Sequence, residues 1–230
     1  MTGFALKLIA MITMLIDHTA AILLEGSKYY NLLRGIGRLA FPIYCFLLVE
    51  GYFYTKNVKR YLIRLGIFAL ISEIPFDLAF APRYIKNGFL YHQNVFLTLF
   101  IGLVVIYLID TIKEKYNGSF IEKMLLSTLI VAIGGMISKF LFTDYNMLGI
   151  LIIVSFYIFR EKKFLNLAIL TILLYLLNRY FVKSELQVLA TFAMLPIYCY
   201  NGKKGTNINR YIFYAFYPVH IAILLLIKLL

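Results

Sequence analysis

The stretch FALKLIAMITMLIDHTAAILL, Phe4–Leu24, decides the fold. Crossing the hydrocarbon core of a bilayer takes about 20 mostly apolar residues of α-helix, and this stretch supplies them. It carries one lysine near its start, Lys7, and the adjacent pair Asp17-His18 in its second half. It has no basic leading region and no clear small-residue cleavage site, so it is expected to stay as a helix rather than be removed as a signal peptide.

Stretches of the same kind recur outward from it. They are Gly35–Phe53, Val58–Phe80, Val95–Ile112, Ile121–Phe142, Tyr145–Phe159, Phe164–Phe181, Leu186–Tyr200 and Tyr211–Leu229. Short polar gaps separate them, and strand-like alternation is absent, which argues against a β-barrel. The fold class expected is all-α, a polytopic integral membrane bundle of about nine transmembrane helices, with eight to ten as the range. Neither a linker nor an internal repeat breaks residues 1–230, so a single domain is expected. Tyr145–Phe159 and Leu186–Tyr200 are short for a full crossing, which predicts tilt or re-entry for one of them.

Composition agrees. The chain is 62% hydrophobic with a mean hydropathy of +0.84. A soluble domain sits near 45–50% apolar, and one core could not hide this excess. The net charge is +12, but the basic residues fall between apolar runs instead of forming a continuous face, so nucleic acid is not an expected partner. The lipid bilayer is. Cys45 and Cys199 both lie in apolar segments and read as packing residues.

Basic residues set orientation. The triplets Lys56/Lys59/Arg60, Lys113/Lys115/Lys123, Arg160/Lys162/Lys163 and Lys203/Lys204/Arg210 all fall on one side of the threading. Lys28, Arg34, Arg83, Lys86, Lys139, Arg179, Lys183 and Lys228 fall on the other. The triplet side is the cytoplasm, which puts the N-terminus inside and makes the chain a multi-pass protein of the inner, cytoplasmic membrane. Tyr29, Tyr30, Tyr84 and Tyr91 read as an aromatic belt.

Charged groups at membrane depth are costly and tend to mark function. Here they are Asp17, His18, Arg38, Glu50, Arg64, Glu73 and Asp77. His92 and Asn94 precede the fourth span, Asp144 and Tyr145 open the sixth, and Tyr217 and His220 lie in the ninth. At 1.5 Å per residue, His18 lies about 6 Å beyond the middle of its span, toward the outside. Arg38, Glu73, Asp77, His92, Asn94 and Asp144 fall toward the same side, His220 is close to the middle, and Glu50 and Arg64 fall in the cytoplasmic half. The threading therefore predicts an outward polar cavity with a smaller polar cluster beneath it. A histidine suits general acid–base work there. Purely structural readings stand beside this one: an ion pair of Arg38 with Glu73 or Asp77, snorkelling by Glu50 and Arg64, and a satisfied core His220. No metal-ligand spacing, nucleophile elbow or phosphate-binding glycine loop is present.

The chain also resembles the TraX family over nearly its whole length. The matching stretches include Met14-Leu15-Ile16-Asp17-His18, Gly37-Arg38-Leu39-Ala40-Phe41-Pro42-Ile43, Glu50-Gly51-Tyr52 and Ile71-Ser72-Glu73-Ile74-Pro75-Phe76-Asp77. Asn94-Val95-Phe96-Leu97-Thr98, Asp144-Tyr145, Tyr200-Asn201-Gly202-Lys203-Lys204-Gly205 and Tyr217-Pro218-Val219-His220 follow. Asn146 stands where a glycine commonly follows the Asp-Tyr pair. The family is associated with N-acetylation of conjugative pilin and looks related to the membrane acyltransferase-3 superfamily. The resemblance implies an acetyltransferase using cytoplasmic acetyl-CoA, with a peptide, pilin or glycan acceptor. It implies His18 as general base with Asp17 beside it, Arg38, Asn94 or Tyr145 near the developing oxyanion, and Lys203 and Lys204 on the donor's phosphates. The residues by themselves leave open a proton-coupled transporter built on Asp17, His18, Glu73 and His220, or a non-catalytic component of a secretion or conjugation system.

Overall fold

A computed structural model of the protein describes residues 1–80, 92–182 and 185–230. Arg83, Tyr84, Lys86, Tyr91 and Lys183 lie outside the described residues. The helices are α1 (Gly3–Leu23), α2 (Tyr30–Gly37), α3 (Ala40–Tyr54), α4 (Val58–Phe80), α5 (Val95–Lys115), α6 (Phe120–Phe140), α7 (Asn146–Ile158), α8 (Lys163–Leu177), α9 (Met194–Tyr198) and α10 (Arg210–Leu229). A π-helical turn, Asn178–Val182, extends α8, and a 3-10 helix, Glu185–Ala193, leads into α9. Among the described residues the bundle is all-α, and five segments are long and apolar enough to cross a membrane: α1, α2 with α3, α5, α6 and α10. α4 has the length, at 23 residues, but carries Lys59, Arg60, Arg64, Glu73 and Asp77.

Local chemistry fixes the helix ends. Thr2 caps α1 by accepting from the Ala5 N–H, and Asn94 and Asn209 do the same for Phe96 and Tyr211. Ser119 and Glu122 form a reciprocal capping box that starts α6.

Two expectations change. The second span does not begin as one helix at Gly35: α2 starts earlier, at Tyr30, and the chain breaks at Arg38-Leu39 before α3. Pro42 supplies the reason, because it has no N–H for the Arg38 carbonyl four residues back and its ring crowds that carbonyl. The eighth span is not regular α-helix. Its first eight residues belong to the 3-10 helix Glu185–Ala193, and with a rise near 2.0 Å per residue the segment from Glu185 through α9 reaches about 25 Å. α7 is short, about 20 Å, and most of its residues are buried.

Five helices close into a ring: α1 packs on α3, α3 on α5, α5 on α4, α4 on α10, and α10 back on α1. α7 fits against α3 and α5, with α6 and α8 outside it. Lipid offers no hydrophobic drive for helix association, so close packing has to supply it. Gly102 on α5 illustrates this: a Cβ there would sit 2.3 Å from Ile153 Cδ1 of α7. α6 is the outermost helix, with Ile121, Leu125, Leu129, Met136 and Phe140 exposed along it. That exposed apolar face suits a lipid environment.

Candidate functional site

Inside the ring, at the end of α1 away from its N-terminus, lies a cavity of about 130 Å³. Asp17 and His18 of α1, Arg34 and Arg38 at the α2–α3 break, Tyr44 of α3, His92, Asp144-Tyr145 and Tyr217 supply much of its wall. Phe41, Phe76 and Phe80 supply apolar surface.

Adjacent positions on a helix point about 100° apart, and Asp17 and His18 accordingly find different partners. Asp17 faces the α2–α3 break. Arg34 Nη1 donates to Asp17 Oδ2 at 2.6 Å and Arg38 Nη2 to Asp17 Oδ1 at 3.1 Å. One carboxylate thus serves two guanidinium groups, and one positive charge is left over. Arg38 also donates to the Arg34 carbonyl at 3.2 Å and reaches Gln187 Oε1 of the 3-10 helix at 3.4 Å. Gly37 makes the arrangement possible: a Cβ there would lie 2.2 Å from Asp17 Cβ.

His18 faces α10. Its Nδ1 lies 2.7 Å from His220 Nε2, and His220 Nδ1 lies 2.6 Å from the Phe216 carbonyl oxygen. The two ring planes are within 8°, with centroids 4.9 Å apart. That separation is the N···N contact plus two ring radii, so the imidazoles meet edge to edge rather than face to face. A carbonyl only accepts, so His220 Nδ1 carries hydrogen. In the neutral ring Nε2 then accepts, and His18 Nδ1 donates to it. His18 Nε2 is left with its lone pair. Phe80 and Tyr217 pack their ring edges around the His18 imidazole.

The opposite wall comes from two helix entrances. His92 Nε2 lies 3.3 Å from Asp144 Oδ1. Burial pulls the His92 imidazole down, but the hydrogen bond and the charge of Asp144 outweigh it, and the net shift is upward from 6.5. Gln93 pairs with Thr143 in a short parallel bridge that holds these two entrances together. Tyr145 stacks on Phe41 at 3.5 Å and within 4° of parallel. Its hydroxyl is in hydrogen-bonding reach of Arg38 and Gln187.

Several candidates stand away from the cavity wall. Asn94 is fully buried, caps α5, donates to the Ala69 carbonyl at 2.8 Å and bonds Glu73. Both ends of its amide are engaged. Glu73 is joined to Asn94, not to Arg38, so the predicted ion pair of Arg38 is made with Asp17 instead. Asp77 sits one turn along α4 from Glu73 in the field of His92. Glu50 does not snorkel: it is 6% exposed and accepts from Arg160 Nε at 2.6 Å. Arg64 lies over the Tyr61 ring. Lys203 and Lys204 occupy a loop at the far end of the bundle, where their carbonyls accept from the first helical N–H groups of α1, Gly3 at 2.8 Å and Phe4 at 2.9 Å. Among the described residues, no group of three or more His, Cys, Asp or Glu is placed to hold a metal ion.

The family model described as TraX protein matches residues 2–228. The chain belongs to the TraX family. A relative, "Probable fimbrial assembly protein FimC, serogroup H1" of Dichelobacter nodosus, is 33% identical over 244 residues, covering 97% of this chain and 94% of the relative. No solved structure matches it. In this TraX chain, sequence reasoning missed Arg34, Tyr44 and Gln187 as cavity neighbours. It also missed a polar knot at the other end, where Tyr52 donates to Asp110 Oδ2 at 2.6 Å, Tyr157 donates to Asp110 Oδ1, and Lys113 donates to the Tyr157 hydroxyl at 3.0 Å. Arg34 and Arg38 are four apart, a spacing that puts two side chains on one helix face; that was the available signal.

Proposed function

We propose that this TraX-family chain is a single-domain membrane acyltransferase that moves an acetyl group from acetyl-CoA to an amine or hydroxyl acceptor. The observation carrying the proposal is the hydrogen-bonded pair of His18 and His220, which leaves the Nε2 lone pair of His18 available beside two guanidinium groups in one cavity. The fimbrial name of the relative favours a peptide acceptor such as a pilin N-terminus, with a glycan hydroxyl as the second class.

Acetyl-CoA supplies a thioester-activated acetyl group. A cavity of about 130 Å³ is below the roughly 300–1,000 Å³ that buries a drug-sized ligand, so it suits the acetyl end alone. The nucleotide end is assigned to the basic end of the bundle, where Lys203 and Lys204 lie about 22 Å along α1 from His18. His18 Nε2 takes the proton from the acceptor amine or hydroxyl as it attacks, and returns it to the departing sulfur. His220 holds the His18 ring in the tautomer this needs. The surplus positive charge of Arg34 and Arg38 over Asp17, with the Tyr145 hydroxyl, stabilises negative charge on the carbonyl oxygen. The N-terminus and the donor then lie in the cytoplasm and the cavity mouth outside, in the inner membrane, a reading that the basic loops favour.

Incubating purified protein with labelled acetyl-CoA and candidate peptide, pilin and glycan acceptors tests this. Label is expected to move, and His18→Ala is expected to stop transfer while the protein stays folded. Near-normal transfer by that variant overturns the role of His18.

A further inference from the structure

At the end of the bundle opposite the cavity, Glu50 is matched by Arg160, but the starts of α1, α4 and α10 hold positive charge with no ion-paired acid among the described residues. α1, α4 and α10 all begin there, and α10 packs against both others. Their opening residues include Lys7, Arg64 and Arg210, and the loop before α10 adds Lys204. Lys7 Nζ lies 4.8 Å from the centre of the Phe213 ring of α10, within the field of Lys204. Arg64 sits 5.7 Å from the Tyr61 ring and lies in the electrostatic reach of Tyr214 of α10, which also feels Arg210. Arg64 Nε is buried with no hydrogen-bond partner.

Among the described residues, Lys7, Arg64, Lys204 and Arg210 make no ion pair. The pairs that do form use Arg34, Arg38, His92 and Arg160. The Lys204 ammonium donates to Asn207 Oδ1 at 2.6 Å. Charges drawn partly away from water are normally paired. Snorkelling explains Arg210 and Lys204, which are exposed. It does not explain Lys7 and Arg64, which lean on aromatic rings of the helix interface. Three helix N-termini add their positive dipole ends. A multiply charged anion is the group that relieves this arrangement.

We propose that Lys7, Arg64, Lys204 and Arg210 form a binding site for a phosphate-bearing anion between the starts of α1, α4 and α10. The site stands under the cavity along one helix pair, because Phe4, Lys7 and His18 of α1 all meet α10. Lys7 is about 16 Å along α1 from His18. Two sources carry the required chemistry: the diphosphate of a coenzyme A donor, which rests on the acyl-transfer reading above, and the headgroup of an anionic phospholipid, which does not.

Binding separates these without measuring transfer. Coenzyme A in its free thiol form is titrated into the protein in neutral detergent, by calorimetry at low and high salt. A parallel arm measures retention of phosphatidylglycerol from mixed phosphatidylcholine–phosphatidylglycerol nanodiscs. Lys7→Gln and Arg64→Gln are expected to weaken binding about tenfold each, the loss of one charged hydrogen bond. The exposed Arg210→Gln and Lys204→Gln, which cannot disturb packing, are expected to weaken it a few-fold and to flatten its salt dependence. Lys28→Gln, at the other end, is the control and leaves binding unchanged. Coenzyme A affinity lost in these variants supports the site with the nucleotide source. Lipid retention lost in them, with no coenzyme A binding by the unaltered protein, supports the site and removes the acyl-donor reading. Coenzyme A binding equal in all variants, with lipid retention also unchanged, overturns the site and leaves acyl transfer standing.

Discussion

Replacing His220 separates a positioning role from a catalytic one. The side chain accepts from His18 Nδ1 across 2.7 Å and is itself anchored on the Phe216 carbonyl at 2.6 Å. His220→Phe keeps the volume and the aromatic neighbours but removes the acceptor. The His18 Nδ1–H then has no partner in a buried site, a loss of about 1–3 kcal/mol, or roughly 5- to 150-fold in rate if it falls on the transition state. His220→Gln puts an amide oxygen where Nε2 stood, which accepts the same hydrogen bond, so transfer should stay within about tenfold of the original. Initial rates with labelled acetyl-CoA give the comparison, and the loss should appear in kcat with little change in KM. Nitrogen-15 NMR of histidine-labelled protein reports the His18 tautomer directly: Nδ1–H in the unaltered protein and in His220→Gln, and a shift toward Nε2–H in His220→Phe. If His220→Gln is as inactive as His220→Phe while the His18 tautomer is unchanged, His220 moves protons itself and the positioning argument is wrong.

Gly37→Ala brings a methyl within 2.2 Å of Asp17 Cβ; the expected cost is about 1–3 kcal/mol of stability, read as a lower melting temperature in detergent. The folded His92 imidazole titrates above its ordinary value, so its pair with Asp144 stabilises fully below about pH 6.5 and fades as pH rises through the raised value. The melting temperature should therefore fall across that window, and the fall should be absent in His92→Gln; equal pH dependence in both proteins refutes the assignment. A cysteine in place of Lys162 should react with a membrane-impermeant thiol reagent only from the cytoplasmic face, and labelling from outside reverses the proposed orientation.

Helix extents were legible because hydropathy is a local property. The predicted Val95–Ile112 and Tyr211–Leu229 differ from α5 and α10 by three residues or fewer at each end. The break at Arg38-Leu39 was readable in principle from Pro42, but the apolar run through it masked the interruption. Partner choice was not legible, because hydropathy does not say which helix stands next to which. Arg38 was matched by depth to Glu73 or Asp77, yet the ring order brings α2 to α1 and hands it Asp17. Arg34 was counted as a loop charge because the sequence around it is half polar. Gln187 gave no signal, since a nine-residue 3-10 helix has a period that helical patterns do not detect.

The same histidine pair bears on the choice between acyl transfer and proton transport. A proton wire needs each member to accept a proton on one side and release it on the other. The chain from His18 passes to His220 and ends at the Phe216 carbonyl, an acceptor that has no proton to hand on at ordinary pH. Beyond it along α1, toward the basic end, the buried positions are Met14, Thr13, Ala10, Leu6 and Gly3, and the one side-chain hydroxyl among them, on Thr13, donates to the Ile9 and Ala10 carbonyls of its own helix. The Asp17 carboxylate lies against two guanidinium groups that stay charged and do not exchange protons with it. Such an arrangement holds a ring in one tautomer and presents one lone pair to the cavity, which supports the proposed general base over a conduction path.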